Sequence, residues 1–329
     1  MSAIAQIHDR KQGIGFKQIL LATDFSEGSQ RAFAYATAVA GRYGSALSVV
    51  HVIPPEPRDR IPLEPLPRQL NRRRLDAEEQ LKNLGARMNN LDHHLLLEQG
   101  PVWDALARVV QREKVDLLVL GTHGRGGLKK LVLGSVAEEV LRLAPCPVLT
   151  IGPHVSSAGS GAGSDAIEFR RILFATDFGP ASAKAFPYAL FLAEEHQAKL
   201  VLLHMVSRMP AADLNPPAYG SSAYVADEFM KWQHTMRDKS ISKLMQLLPD
   251  DAKLAAAPEY VVGTDFLPEG ILDVAATHKT ELIVMGANRT SSPRLAAHMP
   301  WALTHEVICQ AKCPVLTVND YQETTTQNG

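Results

Sequence analysis

Cysteine is scarce in this sequence, three among 329 residues, at positions 146, 309 and 313. So small and odd a number excludes a disulfide framework and fits a reducing compartment. Cys309 and Cys313 stand close together, but no second pair completes a zinc set, so both are expected as core-facing thiols. An excess of one charge is also lacking. Lys and Arg total 34 against 35 Asp and Glu, a formal net charge of -1, which excludes the basic footprint of a nucleic-acid binder. The tract Arg72 to Arg74 is followed by Asp76, Glu78 and Glu79, and as a helix face that mixture predicts a solvated surface. No apolar run approaches the roughly 18 residues of a membrane span. The opening "MSAIAQIHDRKQG" lacks the basic-then-apolar order of a secretory signal. Nucleic acid and membrane are therefore not expected as partners, and the expected location is the cytoplasm. What remains is ordinary globular material, 46% hydrophobic and 21% charged, with the length of about two domains of roughly 150 residues each.

The two domains are copies of one unit. "ILLATDFS" (19–26) returns as "ILFATDFG" (172–179), and "YATAVAGRYGSALSVVHVI" (35–53) as "YALFLAEEHQAKLVLLHMV" (188–206). "VDLLVLG" (115–121) is echoed by "TELIVMG" (280–286), and "CPVLTI" (146–151) by "CPVLTV" (313–318). Between the copies "SSAGSGAGSD" (156–165) has the small, polar composition of a flexible linker. The expected division is a first domain over 1–153, a linker over 154–167, a second domain over 168–320 and a polar tail over 321–329.

Within copy one, strand and helix alternate. Lys17 to Thr23 predicts a buried parallel strand, followed by a helix with Ser26 as N-cap and Gly44 as its stop. Ala46 to Val52 predicts a second strand. Pro54 to Pro67 is too rich in proline for anything but a loop, and a helix is expected from about Gln69 to Met88. Leu95 to Glu98 predicts a short third strand, and Gly100-Pro101 a helix with proline in its first turn, ending near Lys114. Asp116 to Leu120, a helix over Ser135 to Leu143, and Pro147 to Ile151 complete the unit. This alternation predicts an α/β fold with a mostly parallel sheet, whose ligands bind beyond the carboxyl ends of the strands.

The informative residues do follow strands. Asp24 comes directly after the first, placed to accept hydrogen bonds from a ribose or adenine, or to cap the next helix. Its retention as Asp177 in copy two favours the binding role. After the fourth strand come Gly121, Thr122, His123 and Gly124, where glycines allow backbone amides to converge on an anion. Gly134-Ser135 then opens a helix whose free amides make a second anion site. Arg125, Lys129 and Lys130 lie between, as phosphate contacts or as solvated cations. A Walker loop is excluded because Gly127 stands where its lysine would, and a dinucleotide fingerprict is excluded because the first strand leads into "TDFSEGS". "DHH" at 92–94 precedes a strand and is not expected to bind metal. His51 and His204 recur at equivalent positions, which favours a structural hydrogen bond. His123 is the only plausible acid–base group of the loop.

Together "ILLATDFS", "SVVHVI", "GTHGRGGLKKLVLGSVAEEVL" and "CPVLTI" resemble the universal stress protein family, in its nucleotide-binding branch. The spacing G-x2-G-x9-G-[ST], met by Gly121, Gly124, Gly134 and Ser135, is that branch's ATP signature. The resemblance implies two tandem, doubly wound, five-stranded parallel-sheet domains of the Rossmann-like, adenine nucleotide α-hydrolase-like type. It implies that Asp24 and the backbone of Val52 address ribose and adenine, with Ala22 and Thr23 on the same wall. Many members carry proline where this chain has Ala22, which implies looser packing against the base. Gly121, Gly124, Gly134, Ser135 and Val136 are the implied phosphate side, with a divalent metal such as Mg²⁺, and His123 and Arg125 are candidate contacts from their place in the loop.

Copy two departs from the signature. Gly286 matches Gly121, but Arg289 replaces Gly124, and Trp301-Ala302 replace Gly134-Ser135, with Pro300 withdrawing an amide close by. One ATP-type site per chain is therefore expected, in a nucleotide-responsive regulator of stress response. Its copies would form an intrachain pseudo-dimer, with a homodimer and an unidentified protein partner as further assemblies. The alternatives are a slow ATPase or phosphotransferase, and a scaffold whose second domain binds another ligand beside Tyr219 to Trp232.

Overall fold

The computed structural model describes residues 14–55, 66–122, 133–156, 167–206, 222–264, 267–287 and 300–320. Copy one runs β1 (Gln18–Ala22), α1 (Glu27–Tyr43), β2 (Ala46–Ile53), α2 (Leu66–Gly85), β3 (His93–Gln99), α3 (Val102–Arg112), β4 (Leu117–Gly121), α4 (Ser135–Leu143) and β5 (Val148–Ile151). These strands lie in the order β3-β2-β1-β4-β5, all parallel. Ile19, Leu20 and Leu21 are each fully buried, and successive strand residues point to opposite faces. Both faces of the sheet are therefore covered, which is why β1 reads as an unbroken apolar run.

Local chemistry sets the element ends. Ser26 caps α1 by accepting from the Ser29 amide, and Gly44 closes it in the left-handed region at φ 64°. At the amino ends of the strands, Asp116 accepts from the Lys17 amide at 2.7 Å, tying β1 to β4. Burial raises the pKa of that carboxyl. Elsewhere the bounds shift. α2 begins at Leu66, so Pro67 sits in its first turn, where a missing amide costs nothing. Pro101 precedes α3 as its N-cap residue instead of lying within it. His93 and His94 open β3 instead of preceding it, and His93 Nδ1 lies 2.9 Å from Leu91 O.

Copy two repeats the plan with β6 (Arg171–Thr176), α5 (Pro180–Glu195), β7 (Lys199–Met205), α6 (Ser222–Leu247), β8 (Glu259–Gly263), α7 (Glu269–Thr277), β9 (Leu282–Ala287), α8 (Pro300–Gln310) and β10 (Val315–Asn319). Strands β9, β6, β7 and β8 are parallel neighbours in that order. The compact units divide the chain differently from the sequence repeat. One joins Ile14–Glu168 to Ala287–Gly329, and the other holds Phe169–Gly286. α8 and β10 thus belong to the unit of copy one, where β10 pairs antiparallel with β5 in the register Val315↔Thr150, Leu316↔Leu149 and Thr317↔Val148. All three cysteines are buried free thiols. Burial pushes the Cys146 thiol up to about 12 and that of Cys309 to about 11, so neither supplies a thiolate near neutrality. Among the described residues no helix is long and apolar enough to cross a membrane.

Candidate functional site

In copy one the strand order reverses between β1 and β4, and a crevice of about 790 Å³ opens there beyond their carboxyl ends. Its walls bring together residues far apart in sequence: Ala22, Thr23 and Asp24 after β1, Val52 on β2, Gly121 on β4, and Gly134, Ser135 and Val136 at the start of α4. His123, Gly124, Arg125, Lys129 and Lys130 lie outside the described residues.

The β1 wall is a tight turn with several interlocked hydrogen bonds. Thr23 Oγ1 accepts from the Phe25 amide at 3.0 Å, and Asp24 Oδ1 from the Ser26 amide at 3.0 Å and the Ser29 hydroxyl at 2.5 Å. Phe25 is held at φ 63°, a region a bulky residue rarely adopts, and its ring lies 4.5 Å from that of His51. His51 Nδ1 meets Thr23 O at 2.7 Å, which closes the turn against β2. Copy two rebuilds it apart from the Ser26 cap, since Gly179 has no side chain. Thr176 Oγ1 accepts from the Phe178 amide, Asp177 Oδ1 from Gly179 and Ser182, and His204 Nδ1 meets Thr176 O at 2.8 Å. The two histidines are structural, as their recurrence suggests. The retention of Asp177 acquires a local reason too, since each aspartate holds the start of the next helix. Asp24→Ala and Asp177→Ala are each expected to lower stability by about 1.5–3 kcal/mol in urea unfolding, the worth of a hydrogen bond to a charged group.

β2 outlasts β1, and that exposes its backbone. Val50 O accepts from the Thr23 amide just past the end of β1. Two residues on, the amide and carbonyl of Val52 point the same way, toward the crevice instead of a strand. Beyond it, α2 contributes a wall that the charged composition of Arg72 to Glu79 conceals. Arg73, Asp76, Ala77 and Gln80 line the crevice at helical spacing around buried Ala77, and Arg73 donates to Pro54 O at 3.2 Å. Arg74, by contrast, pairs with Glu78 on the solvent side. Asp76 stays exposed, as expected of a solvated face, while Arg73 is half-buried against the crevice; the signal that marks this inner side is its spacing around an alanine.

On the opposite side the chain returns at Leu133, and the Gly134 amide donates to Thr122 O at 3.0 Å. Gly134 is the N-cap residue of α4 and supplies no side-chain cap. Among the described residues the amides of Ser135, Val136 and Ala137 have no acceptor, as expected for the first turn of a helix. They and the helix dipole give this end of the crevice an affinity for anions. Gly121 has a second reason to be glycine. A Cβ there would lie 2.6 Å from the Gly28 carbonyl carbon and oxygen at the start of α1. Gly286 is in the same position in copy two, where a Cβ would lie 2.5 Å from the Ala181 carbonyl carbon. Packing of the first helix on the fourth strand therefore accounts for the one loop glycine that both copies keep.

Comparison with known proteins agrees with this architecture. The sequence profile of the universal stress protein family matches residues 15–152 and again 168–319. A universal stress protein of Thermus aquaticus is 39% identical over 137 residues, which is 41% of this chain and 98% of the relative. A universal stress protein A homolog of Coxiella burnetii is 33% identical over 141 residues, covering 41% of this chain and 96% of its own. Each relative therefore has about the length of one copy. A solved universal stress protein from Archaeoglobus fulgidus covers 92% of this chain and 98% of its own with a TM-score of 0.61, and at 16% identity it speaks for the fold alone. The chain belongs to the universal stress protein family and carries two tandem copies of its domain.

Proposed function

We propose that this chain is an ATP-binding regulator with one working nucleotide site, formed by copy one. The observation that carries the reading is the pairing of two unlike walls across one crevice. The β1–β2 side offers Asp24 and the outward backbone of Val52 for ribose and adenine. The α4 side offers the amides of Ser135, Val136 and Ala137 for phosphate, with Gly121 and Gly134 lining the same approach and His123, Gly124 and Arg125 following Gly121 in sequence. Its volume suits a small organic ligand. Among the described residues no three carboxylate, histidine or cysteine side chains converge as a metal cage. An accompanying Mg²⁺ would thus be held mainly by phosphate oxygens and water, as this ion usually is. In copy two the equivalent helix begins at Pro300, which has no amide to give.

Binding rather than turnover is the favoured role, because His51 and Asp24 are already engaged in the turn and neither stands free to activate water. Nucleotide occupancy would change the surface around the crevice that a protein partner meets in the cytoplasm. The antiparallel β5–β10 pair supports an intrachain pseudo-dimer, with domains over 1–153 and 168–320 joined by the linker 154–167. Calorimetric titration with Mg²⁺ and ATP is expected to give one site per chain, with the nucleotide recovered intact after hours. Two equivalent sites would overturn the count, and steady release of ADP would make the protein an enzyme.

A further inference from the structure

Helix α4, which presents the phosphate-facing amides, is held at both ends by the last helix and strand of copy two. Just before its start, the amide of buried Leu133 donates to His305 Nε2 on α8 at 3.3 Å. At its other end, Asn319 Nδ2 on β10 donates to Leu141 O at 2.8 Å and Ala144 O at 3.1 Å. Those carbonyls lie where a helix runs out of its own donors. Asn319 is buried, so the pair of bonds is sheltered from water.

A symmetric pair of domains would repeat each contact in reverse, and this chain does not. The relation that exchanges Leu149 with Leu316 across the β5–β10 pair also exchanges Gly152 with Asn319, and Leu141 and Ala144 with Ile308 and Ala311. A Cβ on Gly152 would lie 2.7 Å from Ile308 O and 3.7 Å from Ala311 O, so the mirror position exists but carries no side chain. The same relation exchanges His305 with Glu138 and Leu133 with Pro300. Proline has no amide, so the mirror of the His305 bond cannot form. Both supports run from copy two to copy one.

From this asymmetry we infer that His305 and Asn319 are positioning residues for the nucleotide site of copy one, so that the second copy serves by aiming α4 instead of binding nucleotide itself. The inference rests on the proposed function. A helix fixed at both ends presents its first-turn amides in one direction before the ligand arrives, and less ordering is left for binding to impose.

The test compares full-length wild type with His305→Leu, His305→Gln and Asn319→Ala. It reads Mg²⁺–ATP affinity by calorimetry and exchange of the Leu133 amide in nucleotide-free protein. His305→Leu removes the acceptor and is expected to weaken ATP binding about five- to tenfold and to speed exchange at Leu133. His305→Gln restores an acceptor and should return both readouts to within about twofold of wild type, a rescue that mere loss of packing would not give. Asn319→Ala should weaken binding while leaving Leu133 exchange near wild type, since its bonds lie at the far end of α4. Unchanged affinity in His305→Leu, or failure of glutamine to rescue, would overturn the inference. Wild type that binds no ATP would overturn the proposed function, and exchange at Leu133 would then still decide whether His305 holds this segment.

Discussion

Gly134→Trp, which gives copy one the residue that copy two carries at the same place, is expected to weaken ATP binding by at least about 100-fold. A Cβ at Gly134 already lies 3.3 Å from Thr122 O, so an indole has little room on that side and would turn into the crevice. It would cover the amides of Ser135, Val136 and Ala137. Hydrogen bonds to a charged group are worth about 1.5–3 kcal/mol each, so losing two of them accounts for the expected factor. Stability should change little, within about 1 kcal/mol. Gly134 sits at φ -63° and ψ 144°, extended backbone open to any residue, and no side-chain cap is lost. Calorimetry beside thermal unfolding separates the two effects. Retained affinity would show that phosphate does not meet α4.

Gly121→Ala should behave in the opposite way, costing stability first. Its added methyl would meet the Gly28 backbone at 2.6 Å, and a helix backbone cannot yield as a flexible side chain does. Overpacking of this kind costs about 3 kcal/mol, at the upper end of the usual range. That corresponds to a fall in Tm of roughly 6–12 °C for a domain of this size. Gly286→Ala should cost a similar amount while leaving ATP affinity intact, because it strains the same packing in the copy without the phosphate site. A Gly121→Ala protein as stable as wild type but unable to bind ATP would show that the glycine is kept for ligand approach alone.

These two glycines look alike in sequence, and only the fold separates their work. The parts legible from residues alone were those set by local chemistry. Ser26 and Gly44 mark the ends of α1 because a capping hydroxyl and a left-handed glycine act within a turn of their own position. The apolar runs of β1 and β4 announce a covered parallel sheet, and the spacing of Gly121, Gly134 and Ser135 marks one wall of the crevice. What stayed hidden depends on partners distant in sequence. Nothing in "TDF" shows that Phe25 adopts positive φ with its ring against His51, which stands on another strand. Arg73 and Asp76 sit in a charged stretch whose inner face is recognisable only once β2 is beside it. The support of α4 by His305 and Asn319 joins residues more than half a chain apart, and no local pattern encodes it.

The antiparallel seam between β5 and β10 bears on how the protein behaves on dilution. β5 is short, Val148–Ile151, and a solitary copy would present its outer edge as unpaired amides and carbonyls. Closing such an edge with a second molecule is a bimolecular event that fails when the protein is scarce. Here the closing strand belongs to the same chain, so closure is an intramolecular event. The seam therefore persists at any cellular abundance. A duplicated chain keeps this edge closed at levels where two separate halves would drift apart.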